Sequence, residues 1–339
     1  MKKFLIIQTA FIGDVILATP LIEKLHEFYP EAQIDFLLRK GNEELFRNHP
    51  YLNKILIWDK NKNKNKNLLK LLRDIRENNY DVAINLQRFF STGFLTAFSK
   101  AKEKVGFDKN PLSFLFTKKI RHTLINDNNN PHETVRNLSL ISHLTDNIFV
   151  KPKLYPTQKD YEVVKPYITN PYICITPASV WFTKQFPINK WLSFFNTIDF
   201  KINIILSGGK ADIALANEIK TKCDNSKISI INLCGKLSLL QSAVLMQYAK
   251  MNFVNDSAPL HLCSAVNAPT TAIFCATLPS FGFGPLADKS YVVQIEEHLD
   301  CRPCNNHGKS KCPEKHFYCA QKIDVNILLN ILKKSFNFH

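Results

Sequence analysis

The chain has 339 residues, 45% hydrophobic and 22% charged, which exceeds one typical domain, supplies large buried cores and excludes global disorder. Lys and Arg number 44 against 29 Asp and Glu, a formal charge of +15; that excess suggests an anionic partner, although an AT-biased coding sequence rich in Lys, Asn, Ile and Phe explains it equally. No run of eighteen or more apolar residues lacks a charge or breaker, which excludes a membrane-spanning helix.

Lys2 and Lys3 precede "FLII" as in a secretory leader, but Gln8 and Asp14 interrupt the apolar stretch and no small-x-small cleavage site follows. A mature cytoplasmic start is expected. Short β-rich runs then alternate with helical patterns, the signature of a parallel sheet with crossover helices. Strands are expected at 3–8, 33–38, 54–59, 81–86 and 104–107, and helices near 19–29, 43–48, 67–78, 90–99 and 131–145. The run "DKNKNKNKN" at 59–67 has no apolar face and reads as a solvated loop. A basic patch between 100 and 121 (Lys100, Lys102, Lys104, Lys109, Lys118, Lys119, Arg121) outnumbers Glu103 and Asp108 and is a candidate membrane or acidic-acceptor contact.

The Pro-bearing stretch "VKPKLYPT" at 150–157 breaks the periodicity and places a domain boundary. The expected parts are 1–157, 158–322 and a C-terminal helical segment, 323–339. Beyond the boundary the theme repeats, with strands at 172–177, 202–208, 228–235, 251–256 and 270–276 and helices at 189–198, 210–222, 238–248, 258–266 and 323–336. Two Rossmann-like α/β halves predict a cleft at the carboxyl ends of both sheets, so function belongs on the loops that leave the strands.

The first such loop, "TAFIGD", lacks both the G-x-G-x-x-G spacing of a dinucleotide site and the G-K-[ST] ending of a phosphate loop. Asp14 is either a helix cap or a functional acid, and spacing leaves the two equal. Pro20 favours a helix that kinks, or one that starts at Thr19 and leaves Asp14 in an open loop. Late in the chain, "FVNDSAPLHLCSAVNAPTTAIF" ends a buried strand at Asn255 and Asp256 and opens a helix at Ser257 to Pro259. Its first-turn N–H groups suit a phosphate, and His261 sits about one turn in; a cap and a structural histidine are the plainer readings. In "TPASVWFTKQFPINKW", Lys184 can neutralise a diphosphate or be an ordinary surface lysine. "SGGKAD" adds a glycine turn with Asp212 at a helix start, which turn chemistry alone explains.

Together these stretches resemble glycosyltransferase family 9, the bacterial lipopolysaccharide heptosyltransferases. "IGDVILATPLIEKLHEFYPEAQIDFL", "YDVAINLQRFFSTGFLTAFSKAKEKVGF" and "NDSAPLHLCSAVNAPTTAIF" carry the likeness in order along nearly the whole chain, and "CRPCNNHGKSKCPEKHFYCAQKI" resembles the heptosyltransferase II branch. The resemblance implies a GT-B fold, two Rossmann-like domains across a cleft. It also implies inverting transfer of L-glycero-D-manno-heptose from ADP-heptose to the lipopolysaccharide inner core. Asp14 matches the family's catalytic base; Ser179, Lys184, Asp212, Asp256, Ser257, Ala258 and His261 match donor-binding positions. No metal or other cofactor is implied, the ADP-sugar being a substrate. The implied partners are ADP-heptose, a lipid-linked core acceptor and the inner face of the cytoplasmic membrane, where the protein would sit peripherally; no nucleic acid is implied.

Ser257 and Ala258 stand where the family has Thr-Gly, and Cys275 and Ala276 where it has Gly-Pro. A different nucleotide sugar, or a non-catalytic nucleotide-sugar-binding protein, therefore remains an alternative. A nucleic-acid role would rest on charge alone, without a recognition helix or stacking motif. Of nine cysteines, Cys301, Cys304, Cys312 and Cys319 cluster as C-x2-C-x7-C-x6-C. Reduced or loop-stapling thiols are the preferred reading over a structural zinc site.

Overall fold

A computed structural model of the chain describes residues 1–122 and 131–337. The chain divides into two compact units, Met1–Tyr155 and Pro156–His339.

In the first unit, β1 (Lys3–Gln8), β2 (Gln33–Arg39), β3 (Lys54–Trp58), β4 (Val82–Asn85), β5 (Glu103–Phe107) and β6 (Lys118–Ile120) form one sheet, β3-β2-β1-β4-β5-β6, with every pairing parallel. The helices are α1 (Ile12–Ile16), α2 (Thr19–Phe28), α3 (Lys64–Asn78), α4 (Phe90–Ala97) and α5 (Glu133–Ser139). β4 is buried along its whole length and β1 at all but its first residue, because helices cover both faces of the sheet. β3 and β6, at the edges, are only partly buried. Leu5, Ile7, Leu37, Trp58, Leu71, Ile75 and Leu95 form a core on one side.

Five expectations for this unit are corrected. Asp14 is not in an open loop: it occupies the third position of the one-turn α1, and a separate α2 starts at Thr19 with Pro20 in its first turn. The run at 59–67 is a loop only to Asn63, since α3 begins at Lys64 and its apolar positions Leu71, Leu72 and Ile75 pull it onto the sheet. The segment at 43–48 is a short 3-10 turn, and α5 stops at Ser139 rather than near 145. The basic patch divides, because β5 runs through it: Lys102, paired with Asp81 at 2.7 Å, and Lys104 lie by the amino end, whereas Lys109 and Arg121 follow the carboxyl ends of β5 and β6.

The second unit repeats the winding. Its strands are β7 (Tyr172–Thr176), β8 (Ile202–Leu206), β9 (Ile228–Asn232), β10 (Asn252–Asn255), β11 (Thr270–Phe274) and β12 (Ser290–Gln294), in the order β12-β11-β10-β7-β8-β9, again all parallel. The helices are α6 (Gln158–Val164), α7 (Ile188–Asn196), α8 (Ile213–Lys222), α9 (Leu239–Tyr248), α10 (Ala258–Ala265), α11 (Tyr318–Gln321) and α12 (Val325–Ser335). Phe186, Trp191, Phe194 and Phe195 anchor its core, to which α12 contributes Leu328, Ile331 and Leu332. β6, β12, α6 and α11 were not expected from sequence, and the last two residues of the expected 323–339 segment lie outside the described residues. In each unit the strand order reverses between the first and fourth strands, β1 and β4 or β7 and β10. Open α/β sheets bind ligands at this point, outside the carboxyl ends of the strands.

Candidate functional site

Asp14 follows β1 at the switch point of the first unit. Three neighbours hold its loop. Asn42, after β2, donates to the Ala10 carbonyl at 3.1 Å. Lys60, after β3, donates to the Thr9 carbonyl at 2.7 Å and to Thr9 Oγ1 at 3.0 Å. Gln87, after β4, donates to Gln8 Oε1. Burial, with Arg39 and Lys64 nearby, lowers the Lys60 ammonium to about 8. Asp14 Oδ2 accepts the Phe11 N–H at 3.2 Å, so the carboxylate does cap α1. It stays half-exposed in the turn that directly follows the segment these neighbours hold.

The second unit gathers the donor candidates around β7 and β10. Asn255, fully buried, points its amide at the loop that leaves β7: Nδ2 donates to the carbonyls of Thr176, Pro177 and Ala178 at 3.3, 2.9 and 3.3 Å, while Oδ1 accepts the Phe186 N–H at 2.9 Å. That side chain fixes both ends of the segment carrying Ser179 and Lys184. Lys184 Nζ then meets Asp256 Oδ2 at 2.7 Å, with side-chain exposures of 15% and 7%. Thr277 donates to the same carboxylate oxygen at 2.6 Å. This is a shielded ion pair with an added hydrogen bond, at the switch point of the unit.

A later loop backs the lysine. Thr183 and Lys309 exchange hydrogen bonds, N–H to carbonyl at 3.1 Å and Lys309 N–H to Thr183 Oγ1 at 2.7 Å. Gly308 adopts φ +86°, and a Cβ there would stand 2.8 Å from Lys184 Cγ, so glycine is required both for the turn and for the lysine stem beneath it. Arg302 ties the same loop to the sheet through the carbonyls of Cys275 and Thr277 at 2.6 and 2.8 Å.

Ser257 stands at the N-cap position of α10 in extended backbone without a capping side-chain bond, its Oγ donating weakly to the Asn255 carbonyl at 3.4 Å. Ala258 and Pro259 form the first turn, and His261 lies one turn in, 5% exposed, its ring edge-on to Phe283 at 6.3 Å. Asp212 is not drawn into this group. It follows the neighbouring strand β8, and its Oδ2 accepts the Gly209 N–H at 2.7 Å, closing the glycine turn that sequence had already explained by turn chemistry.

Cys301, Cys304, Cys312 and Cys319 line one cavity of about 180 Å³ with Thr183, Lys309 and His316. All nine cysteines are free thiols, and burial pushes Cys319 up to about 12. Among the described residues no three His, Cys, Asp or Glu side chains are arranged to hold a metal ion.

Sequence reasoning missed Asn255, Thr277 and Gly308 as parts of the site. Asn255 carried a signal, a buried polar residue beside Asp256 at a strand end. Thr277 and Gly308 carried none.

The family model described as glycosyltransferase family 9 (heptosyltransferase) matches residues 68–315. A lipopolysaccharide heptosyltransferase 3 of Escherichia coli is 28% identical over 79% of this chain and 82% of its own length. A lipopolysaccharide heptosyltransferase 1 of Campylobacter coli is 25% identical over 98% of this chain and 99% of its own. The solved structure of E. coli ADP-heptose lipopolysaccharide heptosyltransferase II superposes with a TM-score of 0.79 at 20% identity, covering 99% of this chain and 98% of that one. The likeness is one of fold, and it identifies the two parallel sheets with the GT-B architecture.

Proposed function

The chain belongs to glycosyltransferase family 9, and from that premise we propose that it is an inverting heptosyltransferase of lipopolysaccharide inner-core assembly. The donor is ADP-heptose and the acceptor a lipid-linked core sugar, met at the cytoplasmic face of the inner membrane. The observation that carries the donor side is the shielded Lys184–Asp256 pair, 2.7 Å apart and braced by Thr277. A lysine held this way is a cation poised for exchange: a donor diphosphate takes the ammonium, and Asp256 keeps its Thr277 bond. The first turn of α10 adds its positive dipole end toward the departing phosphate.

Inversion requires one base at the acceptor hydroxyl and charge stabilisation at the leaving diphosphate. Asp14 takes the first role, since the turn that follows the held segment presents a half-exposed carboxylate. Lys184 takes the second. Lysine and a helix terminus do the work of a divalent cation, so full turnover in excess chelator is expected. A chelator-sensitive rate restored by a metal would overturn that part.

A different nucleotide sugar is the specific second reading. Ala258 lacks the backbone freedom of glycine at the turn facing the phosphates, and Cys275 and Ala276 are wholly buried rather than presented to a ligand. A screen of nucleotide sugars against core acceptors, with products weighed by mass spectrometry, decides between them. Transfer from ADP-heptose supports the proposal; transfer from another donor alone replaces it. Donor binding without transfer on any acceptor would assign a binding protein instead.

A further inference from the structure

The first unit presents aromatic surface that the chemistry above does not use. Phe89 and Phe90 at the start of α4 are 53% and 61% exposed, and Phe114 and Leu115, in a 3-10 turn after β5, are 70% and 40% exposed. The two segments follow adjacent strands, and Asn110 locks them together. Its buried Nδ2 donates to the carbonyls of Gln87 and Phe89 at 2.9 and 3.0 Å, and its Oδ1 accepts the Leu112 N–H at 3.0 Å. Gly93 of α4 lies against that amide, where a Cβ would come within 2.1 Å of Asn110 Oδ1. Phe116, one residue beyond the exposed pair, turns inward onto Gly106. The exposed rings therefore stand on a fixed scaffold.

The charge around them is mainly positive. Arg88 lies over the Phe89 ring at 5.6 Å, and Lys109, Lys119 and Arg121 are exposed on the segments that follow. Between residues 86 and 121 the only acids are Glu103 and Asp108. Glu103 opens β5 and pairs with His143 at 2.6 Å, and the Asp108 carboxylate accepts the His122 N–H at 2.9 Å. Protein-binding patches have cores depleted of charge, whereas rings interleaved with an excess of cations suit the boundary between headgroups and acyl chains of an anionic bilayer.

We propose that this face docks the protein on an anionic lipid surface, with Phe89, Phe90, Phe114 and Leu115 entering the headgroup boundary and the cations meeting lipid phosphates. The inference deepens the reading of a lipid-linked acceptor and rests on it for its biological sense, but its measurement is separate. The full chain is sedimented with vesicles of phosphatidylcholine alone and with vesicles that also contain phosphatidylglycerol. Binding is expected to the second kind and to weaken with salt. Phe90→Ser with Phe114→Ser should lower the partition coefficient by about tenfold or more, and Lys109→Gln and Arg121→Gln by about fivefold each. Unchanged melting curves, and unchanged transfer to a short water-soluble acceptor, show that fold and site are intact. Equal binding to both vesicle kinds, or undiminished binding by the variants, overturns the proposal. So does lipid-free self-association that the phenylalanine substitutions abolish, which would assign the face to a second copy of the chain. If transfer fails on every acceptor while patch-dependent vesicle binding persists, the catalytic reading falls and the docking surface stands.

Discussion

Asp14 caps α1 through the Phe11 N–H at 3.2 Å, and the same bond makes its proposed catalytic role testable. Asn keeps an oxygen to accept that bond but loses the charge and the basicity, so Asp14→Asn should keep the fold while turnover falls about 10²- to 10⁴-fold. Turnover within a factor of a few of native would leave Asp14 as a cap alone. Lys184→Met retains the stem under Gly308 and removes the charge, so it should weaken use of the nucleotide sugar more than it lowers stability; unchanged donor kinetics would remove the lysine from the phosphates. Spacing brought both residues forward because each leaves a buried strand. Asn255 stayed hidden as a positioning residue because its partners lie 69 to 79 residues away in sequence, a pairing only the closed sheet creates. Asn255→Ala should lower stability by about 1–3 kcal/mol, from buried peptide groups left without a partner, and raise the donor KM through the loosened Lys184 loop. Denaturant melts beside donor titrations read both effects.

Among elements, the central strands were legible because parallel strands covered on both faces read as unbroken apolar runs. β6 was not, since "KKI" has no such run and is a strand only by pairing with β5. The lysine-asparagine run misled for the opposite reason: its low complexity hid that its second half starts α3, whose apolar face begins later in the chain. The segment that follows β2 holds a further device, His49, 7% exposed against Tyr155 with ring centroids 4.8 Å apart. Burial first, then the charges of Lys153 and His26, lowers its imidazole to about 4. A folded-state value below the ordinary 6.5 means that the unfolded chain takes the proton first. Stability from this residue is thus complete above pH 6.5 and lost as pH falls toward 4, by about 2 kcal/mol at pH 5. Glu23, hydrogen-bonded to Tyr155 and raised mainly by burial, works in the opposite direction. His49→Phe should reduce the difference in unfolding free energy between pH 7 and pH 5, and an unchanged difference would assign the acid sensitivity elsewhere.

For the whole molecule, the repeated strand order is the feature that matters most. Both units reverse at the strand pair that bears candidate groups, Asp14 after β1 in one and Lys184 and Asp256 after β7 and β10 in the other. Alternation of strand and helix made two such halves legible in sequence, but strand order is set by long-range pairing and could not be read there. Each unit also has its own apolar core, around Trp58 in the first and around Trp191 in the second. Two cores predict two unfolding transitions, and a ligand stabilises only the unit that binds it. ADP at about 100 times its dissociation constant adds roughly 2.7 kcal/mol to that unit. Calorimetry should therefore show ADP raising the transition of the unit that begins at Pro156 and leaving the other in place. Trp58 is the only tryptophan of the first unit, since the other two are Trp181 and Trp191. Variants with Trp58→Phe, or with Trp181→Phe and Trp191→Phe, let fluorescence assign each transition. If both transitions move together by the same amount, the units unfold as one and the division of donor chemistry to the second unit loses this support.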